Sequence, residues 1–327
     1  MNKSNIFIIF MCTKFDNMIN LKRFHSLFDL INTFSSEEKC IEYLEQIRWN
    51  GNVVSPFDSK SKVYKCSKGY YCKNTNKMFN VKTRTIFENT KIPLQKWFMG
   101  IWLITSHKKG ISSIQLSKDI GVTQKTSWFM LQRIRKCFEN ENNHILNNVV
   151  EVDETYIGGK EKNKGFQPQK NGTQGRSTKH KIPVIGMVER KGKVVSHIIE
   201  NVKSVTLTNS ILNNVEINST IYTDEWRGYN MIDKLYDHLF VKHNDYEFVN
   251  GEVYTNTIEG FWSLLKRGFY GTYHKISKQH LQMYINEFVF RYNTRTVNEY
   301  DRFELLLSNI STRLKYDDLI KFDYNIL

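Results

Sequence analysis

The sequence predicts a multidomain α/β protein in which a small ribbon-like region and a helical helix-turn-helix domain precede a larger α/β domain. Three observations carry this. Trp49 to Phe87 alternates short β-prone runs with turn residues. Pro93 to Lys136 has helical periodicity interrupted twice, around Gly110 and at Gly121. Beyond Leu146, apolar runs and helical patterns follow in the order three strands, helix, strand, helix. At 327 residues and 40% hydrophobic the chain can build two or three cores. The expected segments are 1–45 (leader and helix), 46–90 (ribbon-like), 91–145 (helix-turn-helix), 146–300 (α/β domain) and 301–327 (helical tail).

Taken in order, Met1 to Asn17 fits no element and a helical pattern begins at Met18, which we expect to be the natural start. The ribbon-like stretch holds Cys66 and Cys72. A zinc ribbon needs four soft ligands in two Cys-x-x-Cys knuckles, and neither knuckle is present. Ser55-Pro-Phe-Asp58 has the spacing of a knuckle without its thiols, and Thr75 stands where a partner of Cys72 would. A metal-free remnant is expected, with Cys66 and Cys72 as the thiols left to serve zinc.

From Pro93 to His107 the apolar residues Leu94, Trp97, Phe98, Ile101, Trp102 and Ile104 recur at helical spacing. A short helix around Ser113 to Ile120 then meets the Gly121 turn, and Thr123 can cap a second helix. The start of that helix offers Gln124, Lys125 and Ser127 for bases, and Arg133, Arg135 and Lys136 follow for phosphates. Net charge is +14, and it is local. Lys91 to Asn140 holds nine Lys or Arg against two acids, and Gly158 to Lys181 seven against one. Two basic features of this kind call for a polyanionic partner. The second reads as a loop that brings Lys160, Lys162 and Lys164 to DNA.

Composition excludes several classes. Four prolines and no repeats exclude collagen-like and mucin-like chains. Five scattered cysteines argue against a secreted disulfide framework. No apolar run approaches the roughly 18 residues of a membrane span, and a cytoplasmic protein is expected.

In the α/β segment, strands are expected at Val149 to Ile157, Ile182 to Val188, Val194 to Val202 and Thr220 to Trp226, and helices at Ser204 to Asn214 and Asn256 to Arg267. Asp153 and Asp224 fall at strand ends and Glu259 on the late helix. Carboxylates in apolar strands are costly unless a cation accompanies them, and Mg²⁺ prefers oxygen ligands. Two such ions about 4 Å apart can clamp the oxygens of a phosphodiester during in-line displacement. On the helix, Ile258, Phe261, Trp262 and Leu265 form the docking stripe. Glu259 and Lys266 share a face, about 10 Å apart. Asn256 can cap the helix or orient DNA, and a lone His243 reads as structural.

These residues sit in Val152-Asp-Glu-Thr-Tyr-Ile-Gly-Gly159, Tyr222-Thr-Asp-Glu-Trp-Arg-Gly-Tyr229 and Thr255-Asn-Thr-Ile-Glu-Gly-Phe-Trp-Ser-Leu-Leu-Lys-Arg267. With 34 residues between Asp224 and Glu259, and Lys266 seven beyond, the sequence resembles the insertion-sequence DDE transposases that place a zinc ribbon and a helix-turn-helix before an ISXO-like catalytic domain. Similarity covers roughly Ser35 to Arg302; the ribbon is the departure. The resemblance implies an RNase H-like mixed sheet with flanking helices, and two Mg²⁺ or Mn²⁺ ions on Asp153, Asp224 and Glu259. It implies cleavage and strand transfer on terminal inverted repeats and target DNA, with Lys266 and Arg267 at phosphate. A homo-oligomer is expected in the DNA complex. Other readings are a DNA-binding protein that has lost catalysis, and an RNase H-like nuclease without strand transfer.

Overall fold

The computed structural model describes residues 23–158, 181–241 and 254–320. The expected start at Met18, the loop lysines Lys160, Lys162 and Lys164, and His243 lie outside these residues. The chain divides into two compact units. The first takes the described part of Met1–Ser106 with Ser113–Ile134 and Val297–Lys315. The second takes His107–Ser112, Arg135–Thr296 and the described part of Tyr316–Leu327.

In the first unit, Ser26 and Ser36 accept from the amides of Asp29 and Lys39 and so start α1 (Leu27–Thr33) and α2 (Glu37–Trp49). The helix expected from Met18 thus begins, among the described residues, only behind the Ser26 cap. Left-handed Asn50 closes α2. An antiparallel sheet of β1 (Val63–Cys66), β2 (Gly69–Cys72) and β3 (Lys77–Phe79) follows. Helices α3 (Leu94–Ser106), α4 (Ser113–Ile120) and α5 (Gln124–Cys137) match their expected spans. Between α4 and α5, Gly121 has φ +61 and Thr123 accepts from the Thr126 amide. Phe24, Phe34, Phe98 and Phe303 form an edge-on aromatic core, with Phe34–Phe98 centroids at 4.8 Å and Phe98–Phe303 at 5.6 Å. Phe303 belongs to the helix Glu299–Ser308. That helix, expected at the edge of a separate tail, is therefore part of the first unit's core.

The second unit is built on a five-stranded mixed sheet, in the order β6 (Val194–Ile198), β5 (Ile182–Glu189), β4 (Val149–Ile157), β7 (Thr220–Asp224), β8 (Asp237–Val241). β5 runs antiparallel to both β4 and β6, whereas β7 runs parallel to β4 and β8 parallel to β7. β8 was not anticipated from the sequence. β6 stops at Ile198, short of Val202, because Asn201 accepts from the Lys203 amide and the Thr206 hydroxyl and turns the chain into α6 (Ser204–Leu212). β7 stops at Asp224, whose own carboxylate accepts from the Trp226 amide.

Because successive strand residues alternate, the sheet feeds two cores, one on each face. Val150 and Val152 join Ile185, Met187 and Ile221 beneath Leu207 and Ile211 of α6. On the other face Val184 and Val188 meet Ile258, Phe261, Trp262 and Leu265 of α7 (Asn256–Gly268), backed by Ile285 and Phe288 of α8 (Leu281–Asn293). Gly186 makes room for α7. A Cβ there would stand 2.6 Å from the Trp262 ring and 2.9 Å from Ile258. No helix among the described residues is long and apolar enough to cross a membrane.

Candidate active site

Parallel pairing of β4 with β7 sets Glu151 opposite Tyr222, so Asp153 and Asp224 both lie two residues further on, level and on one face. The structure brings this pair together electrostatically. The Asp153 carboxyl is pushed up to about 7, first by burial and then by the charges of Glu154 and Asp224. Trp262 donates its indole N–H to Asp153 Oδ2 at 3.0 Å, which ties α7 to the strand. Glu154 points to the opposite face and accepts from the Tyr229 hydroxyl at 2.7 Å.

Glu259 and Arg267 are exposed on α7, and Lys266 is half-buried. The Thr255 hydroxyl lies 3.4 Å from Glu259 Oε1. Among the described residues no three His, Cys, Asp or Glu side chains gather closely enough to hold a metal ion. Asn256 is the first helical residue and Thr255 makes no side-chain cap. The start of α7 is capped instead by Glu151 of β4, which accepts from Thr257 N at 2.8 Å and Ile258 N at 3.1 Å. Sequence reasoning passed over Glu151. Its one signal was an acid flanked on both sides by valine, Val150 and Val152.

At the two helices joined by the Gly121 turn, the six residues expected on DNA divide. Gln124 and Lys125 are exposed, and Lys136 is half-buried and paired with Glu139. Ser127, Arg133 and Arg135 are buried, which corrects their assignment to DNA. Ser127 donates to the carbonyls of Ser113 and Gln124 and locks the turn. Arg133 donates to the carbonyls of Ile86, Glu88 and Leu314. Arg135, in the second unit, pairs with Glu287 at 2.6 Å, and Arg291 meets the same carboxylate at 2.6 Å. Burial alone would raise Glu287, but Arg291 and Arg135 outweigh it and hold it below its ordinary value.

In the ribbon-like sheet the two thiols left to serve zinc, Cys66 and Cys72, do not come together. Cys66 pairs with Gly69 at the turn of the β1–β2 hairpin and Cys72 with Val63 at its open end. Three residues of strand, roughly 10 Å, thus separate the thiols. Around Cys72 the knuckle positions survive as hydrogen-bonding groups. Ser55 accepts from the amides of Phe57 and Asp58, and Asp58 accepts from Asn74 at 2.7 Å and the Lys60 amide at 2.9 Å. Burial opposes ionisation of Cys72, yet hydrogen bonds from Ser55, Ser61 and Thr75 bring its thiol down to about 6. One thiol, two hydroxyls and an occupied carboxylate are a poor donor set for zinc.

Three kinds of likeness bear on the whole. The ISXO2-like transposase domain matches residues 145–293, the stretch that carries all three carboxylates. An uncharacterized protein in transposable element ISH50 of Halobacterium salinarum is 31% identical over 277 residues, spanning 80% of this chain and 92% of that protein. An uncharacterized transposase-like protein of Haemophilus influenzae is 32% identical over 108 residues, 33% of this chain and 86% of that one. Among solved structures, the Mos1 strand transfer complex is 12% identical, covers 67% of this chain and 79% of its own, and superposes with a TM-score of 0.29. The Mos1 transposase paired-end complex with left transposon end is 11% identical at a TM-score of 0.26, covering 94% and 98%. Scores that low carry no argument, but an ISXO2-like domain laid over the aspartate-bearing sheet and a relative alike along nearly its whole length do: the chain belongs to the ISXO2-like transposases of insertion sequences.

Proposed function

We propose that the second unit is an RNase H-like catalytic domain that cuts DNA at the terminal inverted repeats of its insertion sequence and joins the freed ends to target DNA. The observation that carries this is the level pair Asp153 and Asp224, where burial, with the charges of Glu154 and Asp224, holds Asp153 near 7. Hard oxygen donors that repel one another suit Mg²⁺ or Mn²⁺. Asp153 and Asp224 would hold the ions from adjacent strands and Glu259 from α7. Bound there, divalent ions supply Lewis-acid stabilisation of the attacking and leaving oxygens. Trp262 fixes the rotamer of Asp153 through its N–H. Lys266 and Arg267, further along α7, neutralise DNA phosphates, while Gln124 and Lys125 at the start of α5 reach base edges and Lys136 the backbone. Lys160, Lys162 and Lys164 add phosphate contacts after β4. The active species is a homo-oligomer on paired ends.

The test is cleavage and strand transfer on DNA carrying the repeats that flank the gene, with Mg²⁺ or Mn²⁺ supplied. Asp153→Asn, Asp224→Asn and Glu259→Gln should each abolish cleavage and leave end binding intact, because a carboxamide keeps the shape and loses the charge. Near wild-type cleavage by any one variant shows that residue to be misassigned. Binding without cleavage by the wild-type chain would replace this reading with that of a DNA-binding protein.

A further inference from the structure

Strand β4 presents three acids within four residues, Glu151, Asp153 and Glu154, which composition alone cannot rank. Glu151 shares Asp153's face and is completely buried. Its acceptor positions are filled: Oε2 by the amides of Thr257 and Ile258, Oε1 by the Thr257 hydroxyl at 2.7 Å and Arg190 Nε at 3.0 Å. That leaves no lone pair for an ion. Arg190, just beyond β5, also donates to the carbonyl of Tyr254 at 3.1 Å and lies 3.6 Å over its ring. Tyr254 is the residue through which the chain approaches α7.

A helix start is ordinarily stabilised by a local Ser, Thr, Asp or Asn cap. Here Thr255 at the cap position makes no such bond, and the free amides of the first turn are satisfied by a carboxylate 106 residues earlier in the chain. A local cap would stabilise the helix wherever it lay. A cap supplied from β4 also fixes where the helix starts.

We propose that Glu151 is a positioning residue for the divalent-ion site: it pins the first turn of α7 to β4 and thereby fixes where Glu259, two residues beyond Thr257, stands relative to Asp153. The proposal rests on the assignment of Asp153, Asp224 and Glu259 as ion ligands. Two strand residues, about 6.6 Å, separate Glu151 from Asp153, and two helical residues, about 3 Å of rise, separate Thr257 from Glu259. With the pin this close to both carboxylates, a shift of the helix start passes directly to Glu259. Glu151→Gln keeps the volume but puts an NH₂ where an amide N–H or the guanidinium now donates, which unseats the first turn.

The experiment titrates Mn²⁺ into the full-length, metal-free protein by calorimetry, for wild type, Glu151→Gln, Thr257→Val and Asp153→Asn. Loss of a partner that orients a ligand weakens ion affinity about 10–100-fold, and Glu151→Gln should fall in that range with an unaltered circular dichroism spectrum. Thr257→Val removes one bond to Oε1 and should weaken affinity by a smaller factor. Raising Mn²⁺ should bring the cleavage rate of Glu151→Gln back toward wild type, whereas simple loss of folded protein would depress it at every concentration. A folded Glu151→Gln with wild-type Mn²⁺ affinity overturns the proposal; if that variant does not fold, wild-type affinity in Thr257→Val overturns it. Wild-type affinity in Asp153→Asn refutes instead the ligand assignment beneath it.

Discussion

Replacing Asp153 by Asn should stabilise the metal-free protein while abolishing cleavage, and the gain should depend on pH. The carboxyl moves from 3.8 to about 7 on folding, chiefly through burial and the neighbouring charges of Glu154 and Asp224. A carboxyl whose folded value is raised binds its proton more tightly in the native state. Its effect is therefore neutral below about pH 4, becomes a growing penalty from there to about 7, and is constant above. At about 1.4 kcal/mol for each tenfold change in proton affinity, the penalty at pH 8 is at most about 4 kcal/mol. Partial exposure of Asp153 reduces it. Asparagine removes the penalty, and its side-chain oxygen can still accept from the Trp262 indole. For a folding unit of this size 1 kcal/mol shifts Tm by about 2–4 °C, so Asp153→Asn should raise Tm by about 5–10 °C at pH 8 and by almost nothing at pH 4. The assay is thermal unfolding in EDTA between pH 4 and 8.5. A Tm difference independent of pH, or a variant less stable at pH 8, would refute the electrostatic account of the site.

Gly186→Ala should lower stability by about 1–3 kcal/mol, because its Cβ would drive Trp262 off the sheet, and chemical denaturation will measure the loss. In end binding, replacing the exposed Arg267, proposed at phosphate, by Ala should reduce the slope of log affinity against log salt by up to about 0.9. Arg133→Ala should leave that slope alone and lower Tm instead, since its guanidinium serves the carbonyls of Ile86, Glu88 and Leu314.

The helical segments, most strands and the Asp224 end of β7 were legible because local patterns specify them: helical spacing in α3, a cap at Thr123, a β-branched run ending in Asp; Asp153, expected at a strand end, stands instead midway along β4. What was illegible depends on pairings far apart in the chain. Glu151 looks like its neighbours until Arg190 and Thr257, 39 and 106 residues away, are set against it. β8 was missed because an edge strand with exposed Leu239 and Phe240 has no buried face to impose a pattern. The zinc question turned on hairpin register, which no count of cysteines can supply.

Arginine shows most clearly how burial alters a reading based on charge. The basic excess between Lys91 and Asn140 counted Arg133 and Arg135 as phosphate contacts, yet both are buried on internal partners. Arg190 and Arg291 likewise serve Glu151 and Glu287 inside the second unit. The planar guanidinium, with five donors and weak hydration, can be buried against carbonyls and carboxylates where an ammonium would be costly. Lysine stays outside: Lys108, Lys109, Lys118 and Lys125 are all exposed. The fully exposed cations of this stretch are therefore lysines. In the reading proposed above, exposed lysines supply affinity and steering, and base edges are met by Gln124 and Lys125 at the start of α5.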